Sequence, residues 1–191
     1  PVLANVLLVL DGNLLSMTGT DLEVELVGRA TVESASGDGE ITLPAKKFLD
    51  ICRSLPDGSV IDFILGDQKA TVKSGRSRFT LSTLPATDFP AVEPGKNDIN
   101  LKCKQGDIKH LIDRTSFAMA QQDVRYYLNG MLWEVRPDSL RVVATDGHRL
   151  AMCTRTISSE IQEPLRQAIL PRKGVIELAR LLTDAEESVE L

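Results

Sequence analysis

One segment occurs twice in this chain: LPAKKFLDICRSL at residues 43–55 returns without a gap as LPRKGVIELARLL at residues 170–182. A second pair of similar segments occurs in the same order, with residues 5–21 resembling residues 129–146. The offset between the copies is the size of a domain and far longer than the periods of solenoid repeats. The sequence therefore predicts two related domains in tandem.

The repeat also predicts where the domains lie. We expect a first domain over residues 1–95 and a second over residues 98–191, with a Pro/Gly-rich joint near residues 91–97. The helical segment at residues 105–116 has no counterpart in the first copy, and the second copy stops at the equivalent of Ile64. We therefore expect a fragment whose first domain lacks its opening helix and whose second lacks its tail. Such cuts expose sheet edges and apolar faces, so marginal stability is expected.

The composition indicates an aliphatic-cored protein of the cytoplasm. Apolar residues make up 42% of the chain and aromatic residues 4%. No apolar run approaches the ~20 residues that span a bilayer, and the start does not resemble a signal peptide. The three cysteines are far apart, which favours reduced thiols over a disulfide framework or a zinc site.

The net charge of −5 argues against nucleic-acid binding unless the basic residues are clustered. The basic residues are clustered, whereas the acidic residues are concentrated in other segments of the chain. The basic groups are Lys69, Lys73, Arg76 and Arg78, then Lys46, Lys47 and Arg53, then Arg172, Lys173 and Arg180. This pattern is expected if one surface meets phosphate. The alternative is that these residues are ordinary solvated surface charge.

Short strand-like runs bounded by turn residues dominate the chain. We predict strands at residues 2–10, 14–18, 22–30, 41–43, 60–65, 70–74, 78–83, 130–135, 140–144 and 150–154. The alternation of Leu22–Leu26 predicts one buried face. We predict helices at residues 45–55, 105–116 and 172–183, each with an apolar stripe. The stripes are Ala45, Phe48, Leu49 and Cys52; Ile108, Leu111, Ile112 and Thr115; and Val175, Leu178, Ala179 and Leu182. The class is α+β, with helices on one side of antiparallel sheets.

Several long motifs give a resemblance to a known family. QDVRYYLNG (122–130), VATDGHRLA (143–151), LPRKG (170–174) and KSGRSRFTLSTLP (73–85), followed by DFP (88–90), resemble the bacterial DNA polymerase III β subunits, the sliding clamps. The resemblance covers essentially the whole chain. It implies tandem clamp domains with sheets outside and helices inside. It also implies a chain of three such domains, of which the third is absent here, and a ring of two chains around duplex DNA.

The repeated helix bears the charges that a DNA channel needs. Lys46 and Arg53 are seven residues apart and hence on one side, and Lys173 and Arg180 repeat that placement. Cations on long stems attract phosphate without reading bases. The resemblance implies a set of DNA-facing residues, namely Lys46, Arg53, Gln122, Tyr126, Tyr127, Arg172 and Lys173. From residue types alone, the tyrosine loop favours contact with a partner, with core packing as the alternative.

The segment from Thr145 to Leu150 has two interpretations from its residues: a turn between strands, or a metal site or general base around Asp146 and His148. The chain has two histidines and no nucleophile elbow or phosphate loop, so we expect no catalytic, cofactor or metal site. The resemblance implies instead a cleft for a short linear motif of polymerases and the clamp loader, formed by Arg125, Leu128, Thr145, Gly147, His148, Arg149 and Leu150. The rest of that cleft belongs to the third domain, so we expect this fragment to bind such peptides poorly.

A second interface is predicted on the strand at residues 78–83. Arg76 and Arg78 are expected on one face, with Phe79 and Leu81 on the other. A charged edge that blocks unwanted pairing is the alternative. The resemblance implies that this strand closes the ring of the homodimer, with a residue set of Lys47, Lys69, Arg76, Arg78, Phe79 and Leu81.

The function expected from the resemblance is a non-enzymatic processivity factor in the bacterial cytoplasm at the nucleoid. It encircles duplex DNA and tethers the replicative polymerase. Two other classes are kept as alternatives. One is a sequence-specific DNA-binding regulator, and the other is a metal-dependent hydrolase built on Asp146 and His148.

Overall fold

A computed structural model describes residues 2–66, 68–90, 100–157, 159, 161 and 164–191. The chain divides into two compact units, Pro1–Glu93 and Pro94–Leu191. Both units combine antiparallel sheets with helices, which confirms the α+β class. No helix among the described residues is long and apolar enough to cross a membrane.

The first unit is built on a four-stranded sheet of order β3-β2-β1-β4 and a three-stranded sheet of order β5-β6-β7. Its elements are β1 (Asn5–Asp11), β2 (Leu14–Thr20), β3 (Glu25–Thr31), β4 (Gly39–Pro44), α1 (Ala45–Ser54), β5 (Asp62–Gly66), β6 (Lys69–Ser74) and β7 (Ser77–Ser82). Short 3-10 turns lie at Val2–Ala4 and Ala86–Asp88. A bridge between Thr42 and Leu84 pairs the segment after β7 with β4.

The second unit repeats the four-stranded sheet in the order β11-β10-β9-β12 and adds the pair β8-β13. Its elements are β8 (Lys102–Lys104), α2 (Gln105–Thr115), β9 (Gly130–Arg136), β10 (Ser139–Thr145), β11 (Leu150–Thr156), β12 (Arg166–Pro171), α3 (Arg172–Leu181) and β13 (Ser188–Glu190). Helix α3 follows β12 and packs on β9 and β12, as α1 follows β4 and packs on β1 and β4. The repeat found in the sequence is therefore also a repeat of topology.

The second unit contains the larger core. It is centred on residues without exposed surface, such as Ile108, Leu111, Met131, Leu140 and Val142. The buried cluster of the first unit consists of Leu8, Leu43, Val72 and Leu81, with half-buried side chains packed around it. The stripes predicted for α2 and α3 are confirmed, because both helices turn those residues into the core.

The stripe predicted for α1 is partly wrong. Phe48 and Ile51 pack against the core cluster, whereas Leu49 is 45% exposed. Leu49 lies about 100° around the helix from Phe48, so a helix that buries Phe48 and Ile51 carries Leu49 out of the core.

The buried face predicted for Leu22–Leu26 is also wrong, because β3 begins only at Glu25 and all its residues are exposed. Leu22 lies in a turn with φ +75° and is 63% exposed. The Oγ1 atom of Thr20 accepts the Leu22 N–H at 3.0 Å, and the Asp21 carboxylate accepts the N–H groups of Glu23 and Val24. These side-chain bonds favour a turn over the strand that the alternation predicted.

Backbone hydrogen bonds join the start of α2 to the segment that precedes β13. The N–H of Gln105 donates to the Glu187 carbonyl at 2.8 Å, and the N–H of Gly106 donates to the Ala185 carbonyl at 3.1 Å. Helix N-termini leave amides without partners inside the helix, and this segment supplies acceptors for two of them. We call residues 184–190 the clasp of α2.

Candidate functional site

Helices α1 and α3 present the same charged side away from their cores. Taking the core-facing residue of each as zero, Lys46 and Arg53 lie about 140–160° around α1, and Lys173 and Arg180 lie at the same angles on α3. All four are exposed. In both helices the opposite side is anchored in the core, through Phe48 in α1 and Val175 in α3. The placement predicted from sequence spacing is therefore present in both units.

The charges on α3 are partly engaged by the protein. Arg180 Nη1 lies 2.7 Å from Glu177 Oε1 within the helix. Arg172 is half-buried, and its Nη1 lies 3.5 Å from the Met119 carbonyl, to which it donates. Arg172 thus fixes the segment after α2 and presents less charge to solvent than the helix spacing suggested.

The loop that contains both tyrosines is exposed at its tip. Val124 is 97% exposed, Tyr126 83% and Tyr127 51%, and the two tyrosine rings pack edge to face at 5.9 Å. Core packing, the alternative for these tyrosines, is therefore wrong. Leu128 is the anchor of this loop, because it is buried and its N–H donates to the Arg125 carbonyl.

Arg125 is held by Asp123 two residues earlier. Its Nε and Nη2 donate to the two carboxylate oxygens at 3.0 and 2.9 Å, and its backbone N–H donates to Oδ1 at 2.8 Å. These bonds hold the pKa of Asp123 down to about 2. The Asn129 side chain accepts from the Asp123 N–H and donates to the Asp123 carbonyl, both at 2.8 Å. Asp123 and Asn129 were not among the predicted site residues, although the Asp-x-Arg spacing signals such a pair.

Arg125 also reaches the turn after β10. A Cβ atom added to Gly147 would lie 3.2 Å from Arg125 Nη2, and Gly147 adopts φ +87°. The predicted residues Arg125, Thr145, Gly147 and Arg149 therefore lie close together, and their role in a cleft stays a prediction. Leu150 lies at the start of β11 and is 65% exposed.

The turn from Thr145 to Arg149 is a hydrogen-bonded unit. Thr145 Oγ1 accepts the Gly147 N–H and donates to the Arg149 carbonyl at 2.7 Å. Asp146 Oδ1 accepts the N–H groups of His148 and Arg149 at 3.0 Å each, and these bonds are the largest cause of its lowered pKa. The turn at Thr20–Val24 in the first unit has the same pattern, with Leu22 at φ +75° in the place of Gly147.

This repetition identifies Asp146 as a residue that builds a turn. Its second carboxylate oxygen, Oδ2, accepts a hydrogen bond from the Arg149 Nε at 3.0 Å. Within the described part of the chain, no group of three or more His, Cys, Asp or Glu residues is placed to hold a metal ion. The carboxylate that a hydrolase would need as a base is thus already bonded to the turn and to Arg149.

An open depression of about 300 Å³ lies beside this turn. It is lined by Met119, Ala120, Gln121, Gln122, Asp123, Asp146, His148 and Arg149. Of the predicted cleft residues, only His148 and Arg149 line it. Arg149 also places its guanidinium carbon 5.6 Å from the centre of the Phe117 ring, a contact that the sequence did not signal.

The strand predicted to close a ring is β7, an edge strand of its sheet. Arg78 is exposed on β7, whereas Arg76 lies in the β6–β7 turn and not in the strand. Leu81 is 5% exposed and Phe79 packs against the same core cluster, so both belong to the core of the first unit. Their assignment to the ring-closing interface stays a prediction, with Leu81 buried and Phe79 half-buried in this unit. Lys47, Lys69, Arg76 and Arg78 are exposed and stay candidates.

Comparison with known proteins places these features in a family. Residues 1–93 match the model of the DNA polymerase III beta subunit, N-terminal domain, and residues 102–191 match that of its central domain. The beta sliding clamp of Pseudomonas putida is 60% identical over 191 residues, and that of Escherichia coli K12 is 48% identical. The chain is wholly covered in both matches and spans 52% of each relative's length.

The fold agrees with solved structures of the same kind. A DNA polymerase III subunit beta from Pseudomonas aeruginosa has a TM-score of 0.96 at 61% identity, over 100% of this chain and 52% of that one. A sliding clamp from Caulobacter crescentus has a TM-score of 0.90 at 36% identity, with the same coverage. A further Pseudomonas aeruginosa clamp, 61% identical with a TM-score of 0.91, was solved bound to griselimycin and is covered over 51% of its length.

Proposed function

Because this chain belongs to the DNA polymerase III beta subunit family, we propose that it acts as part of a sliding clamp, a ring that encircles duplex DNA and tethers a polymerase. The chain spans about half the length of the relatives it matches. The ring is a homodimer of chains of that greater length. It is an accessory factor without catalysis or cofactor of its own, and it works in the bacterial cytoplasm at the nucleoid.

The observation that carries this proposal is the doubled basic helix. Lys46 and Arg53 on α1 recur as Lys173 and Arg180 on α3, each pair on the side of the helix that faces away from its core. Flexible cationic side chains neutralise phosphate without distinguishing base pairs. Such a surface holds a duplex loosely and in any sequence, as sliding requires. Gln122, Tyr126, Tyr127 and Arg172 complete the proposed DNA-facing set.

The turn at Thr145–Leu150 and the loop at Arg125–Leu128 form the proposed site for polymerase and clamp-loader peptides. Exposed Leu150 offers apolar surface, and Arg125, His148 and Arg149 offer hydrogen-bond donors around it. An apolar surface bordered by a few polar groups suits one anchoring side chain of a short motif.

The exposed edge of β7 is the proposed ring-closing surface. Lys69 and Arg78 project from this sheet, with Lys47 on α1 and Arg76 in the β6–β7 turn. An unpaired strand edge recruits a strand from another chain, and these charges select a partner with acidic residues opposite them.

The test uses a chain of the relatives' full length that carries this sequence, loaded by its clamp loader onto nicked circular DNA. We expect it to stay on circles at moderate salt and to leave once the DNA is cut. A loaded circle that is not cut is the control. Equal retention on circles and linear DNA, lost only as salt rises, would reject the ring. A preference for particular duplex sequences would favour a regulator instead.

A second test addresses the enzyme alternative. Asp146→Asn and His148→Ala are expected to weaken peptide binding and to alter no hydrolytic rate. A divalent-metal-dependent hydrolysis that both substitutions abolish would establish the hydrolase and contradict the clamp.

A further inference from the structure

Phe117 is an exposed aromatic ring on a rigid base. It exposes 59% of its surface, although the next three residues, Ala118, Met119 and Ala120, are all buried. The ring lies in the 3-10 turn Ser116–Ala118, where the Met119 N–H donates to the Ser116 carbonyl at 3.2 Å. The Arg172 guanidinium donates to the carbonyl of Met119, two residues after Phe117. The backbone under the ring is therefore fixed on both sides.

The ring faces Arg149. The guanidinium carbon of Arg149 is 5.6 Å from the ring centre, within the range of a cation–π interaction. On another side, the Arg149 Nε donates to Asp146 Oδ2 at 3.0 Å. Asp146 is itself fixed by two backbone N–H groups of the turn. The orientation of the guanidinium plane is thus set by a carboxylate and an aromatic ring together.

This leaves the ends of the Arg149 side chain available to a ligand. Within the described residues, its two terminal amino groups donate to no protein acceptor. Its side chain is 58% exposed. A guanidinium that is already oriented loses less conformational freedom when it binds an oxygen atom, which favours affinity.

We propose that Phe117 is a positioning residue of the peptide cleft: it holds the Arg149 guanidinium so that its terminal N–H groups donate to a carbonyl or carboxylate oxygen of a bound peptide. This inference rests on the cleft described under Proposed function. It adds a residue that lies outside the predicted cleft set and acts through Arg149.

The exposure of Phe117 separates this role from a structural one. A ring with more than half its surface in water contributes little to the core, so its truncation should change stability little. The same truncation frees Arg149 to sample other rotamers. Loss of affinity without loss of stability is the signature of positioning.

The experiment uses a chain of the relatives' full length that carries this sequence, with griselimycin as the probe. We expect Phe117→Leu to weaken griselimycin binding about two- to fivefold, the range of an exposed cation–π contact. Phe117→Tyr keeps the ring and should restore the affinity. Leu181→Ala is the matched control, because Leu181 is 60% exposed and lies on α3.

A double-mutant cycle tests whether Phe117 acts through Arg149. In an Arg149→Met background, Phe117→Leu should cause no further loss, because the group that it positions is gone. The Arg149 Nε proton should also lose its aromatic ring-current shift in Phe117→Leu and keep it in Phe117→Tyr.

Three outcomes would overturn the proposal. They are unchanged affinity in Phe117→Leu, equal losses in both backgrounds, and a lower unfolding temperature that accounts for the whole effect. If the unaltered chain does not bind griselimycin at all, the peptide cleft itself is rejected and this inference falls with it. If the unaltered chain binds and Phe117→Leu binds equally well, only the inference fails.

Discussion

At the loop that carries both tyrosines, three hydrogen bonds connect Asp123 to Arg125, two from the guanidinium and one from the backbone N–H. The same guanidinium packs on Gly147 in the turn after β10. Single side chains thus join two segments that the sequence separates by about twenty residues. Both partners of the pair are near the surface, so its value lies in orientation more than in stability.

The pair makes a prediction about pH. The pKa of Asp123 is lowered from 3.8 to about 2 in the folded protein. The stabilisation from its charged form is therefore complete above pH 3.8 and is lost as the pH falls through about 2. We expect the Asp123 carboxyl resonance in NMR to titrate near 2 and Arg125→Gln to move its midpoint upward. A midpoint that Arg125→Gln does not change would show that Arg125 is not the cause.

The presence of a helix or strand was easier to predict than which of its faces is buried. The sequence predicted α2 and α3 together with their buried stripes, because the apolar residues recur at helical spacing. It failed at Leu22–Leu26, where Thr20 and Asp21 form a turn although the residues alternate. It also failed to predict β12 and the β8-β13 pair, since these strands are short or irregular in pattern and depend on distant partners.

The site shows the same division. The meeting of Arg125, Thr145, Gly147 and Arg149 followed from motifs, whose resemblance to a family carries information about tertiary structure. The contact between Phe117 and Arg149 joins residues far apart in the chain and leaves no local pattern. Strand alternation identified two faces of the strand at residues 78–83 without saying which is the core, and the structure buries the face with Leu81.

The clasp of α2 makes a prediction for Gly106. An added Cβ would lie 2.9 Å from the Ala185 carbonyl oxygen, a backbone atom that cannot move without breaking the cap. We expect Gly106→Ala to lower the free energy of unfolding by about 1–3 kcal/mol in urea titrations. Gly28→Ala is the matched control, because nothing lies within 4 Å of its Cβ position. Equal effects of the two substitutions would show that the close approach does not matter.

The basic helices make a prediction about salt. Each phosphate contact contributes a little under one unit to the slope of log affinity against log salt. Replacing Lys46 and Arg53 by Gln should therefore lower the slope by about two in binding to a mixed-sequence duplex. Replacing Arg141, which points out of β10 on the side away from the core, is the control. An unchanged slope in the double variant would place the DNA elsewhere.

At the scale of the whole molecule, the two units differ in how much they bury. The second has a continuous core from Leu101 to Leu182, and the first has four buried apolar residues in its cluster. Apolar burial is the main source of stability, so the units should have unequal stability. The marginal stability expected from the sequence thus stays a prediction chiefly for the first unit.

Hydrogen exchange should report this difference. We expect the slowest amides in β9 and β10, around the fully buried Met131, Leu140 and Val142. We expect the fastest strand amides in β3, whose residues are all exposed. Slower exchange in β3 than in β10 would contradict the ranking of the two units.

The clasp has a consequence for synthesis on the ribosome. The first amides of α2 receive their acceptors only when Ala185 and Glu187 have left the exit tunnel, some eighty residues after the amides themselves. At ~5–20 residues per second, that interval is on the order of ten seconds. During it α2 has no cap and β8 has no partner strand. Capping of α2 in the nascent second unit therefore depends on residues 184–190, and a stall before them leaves an uncapped helix open to chaperones and proteases.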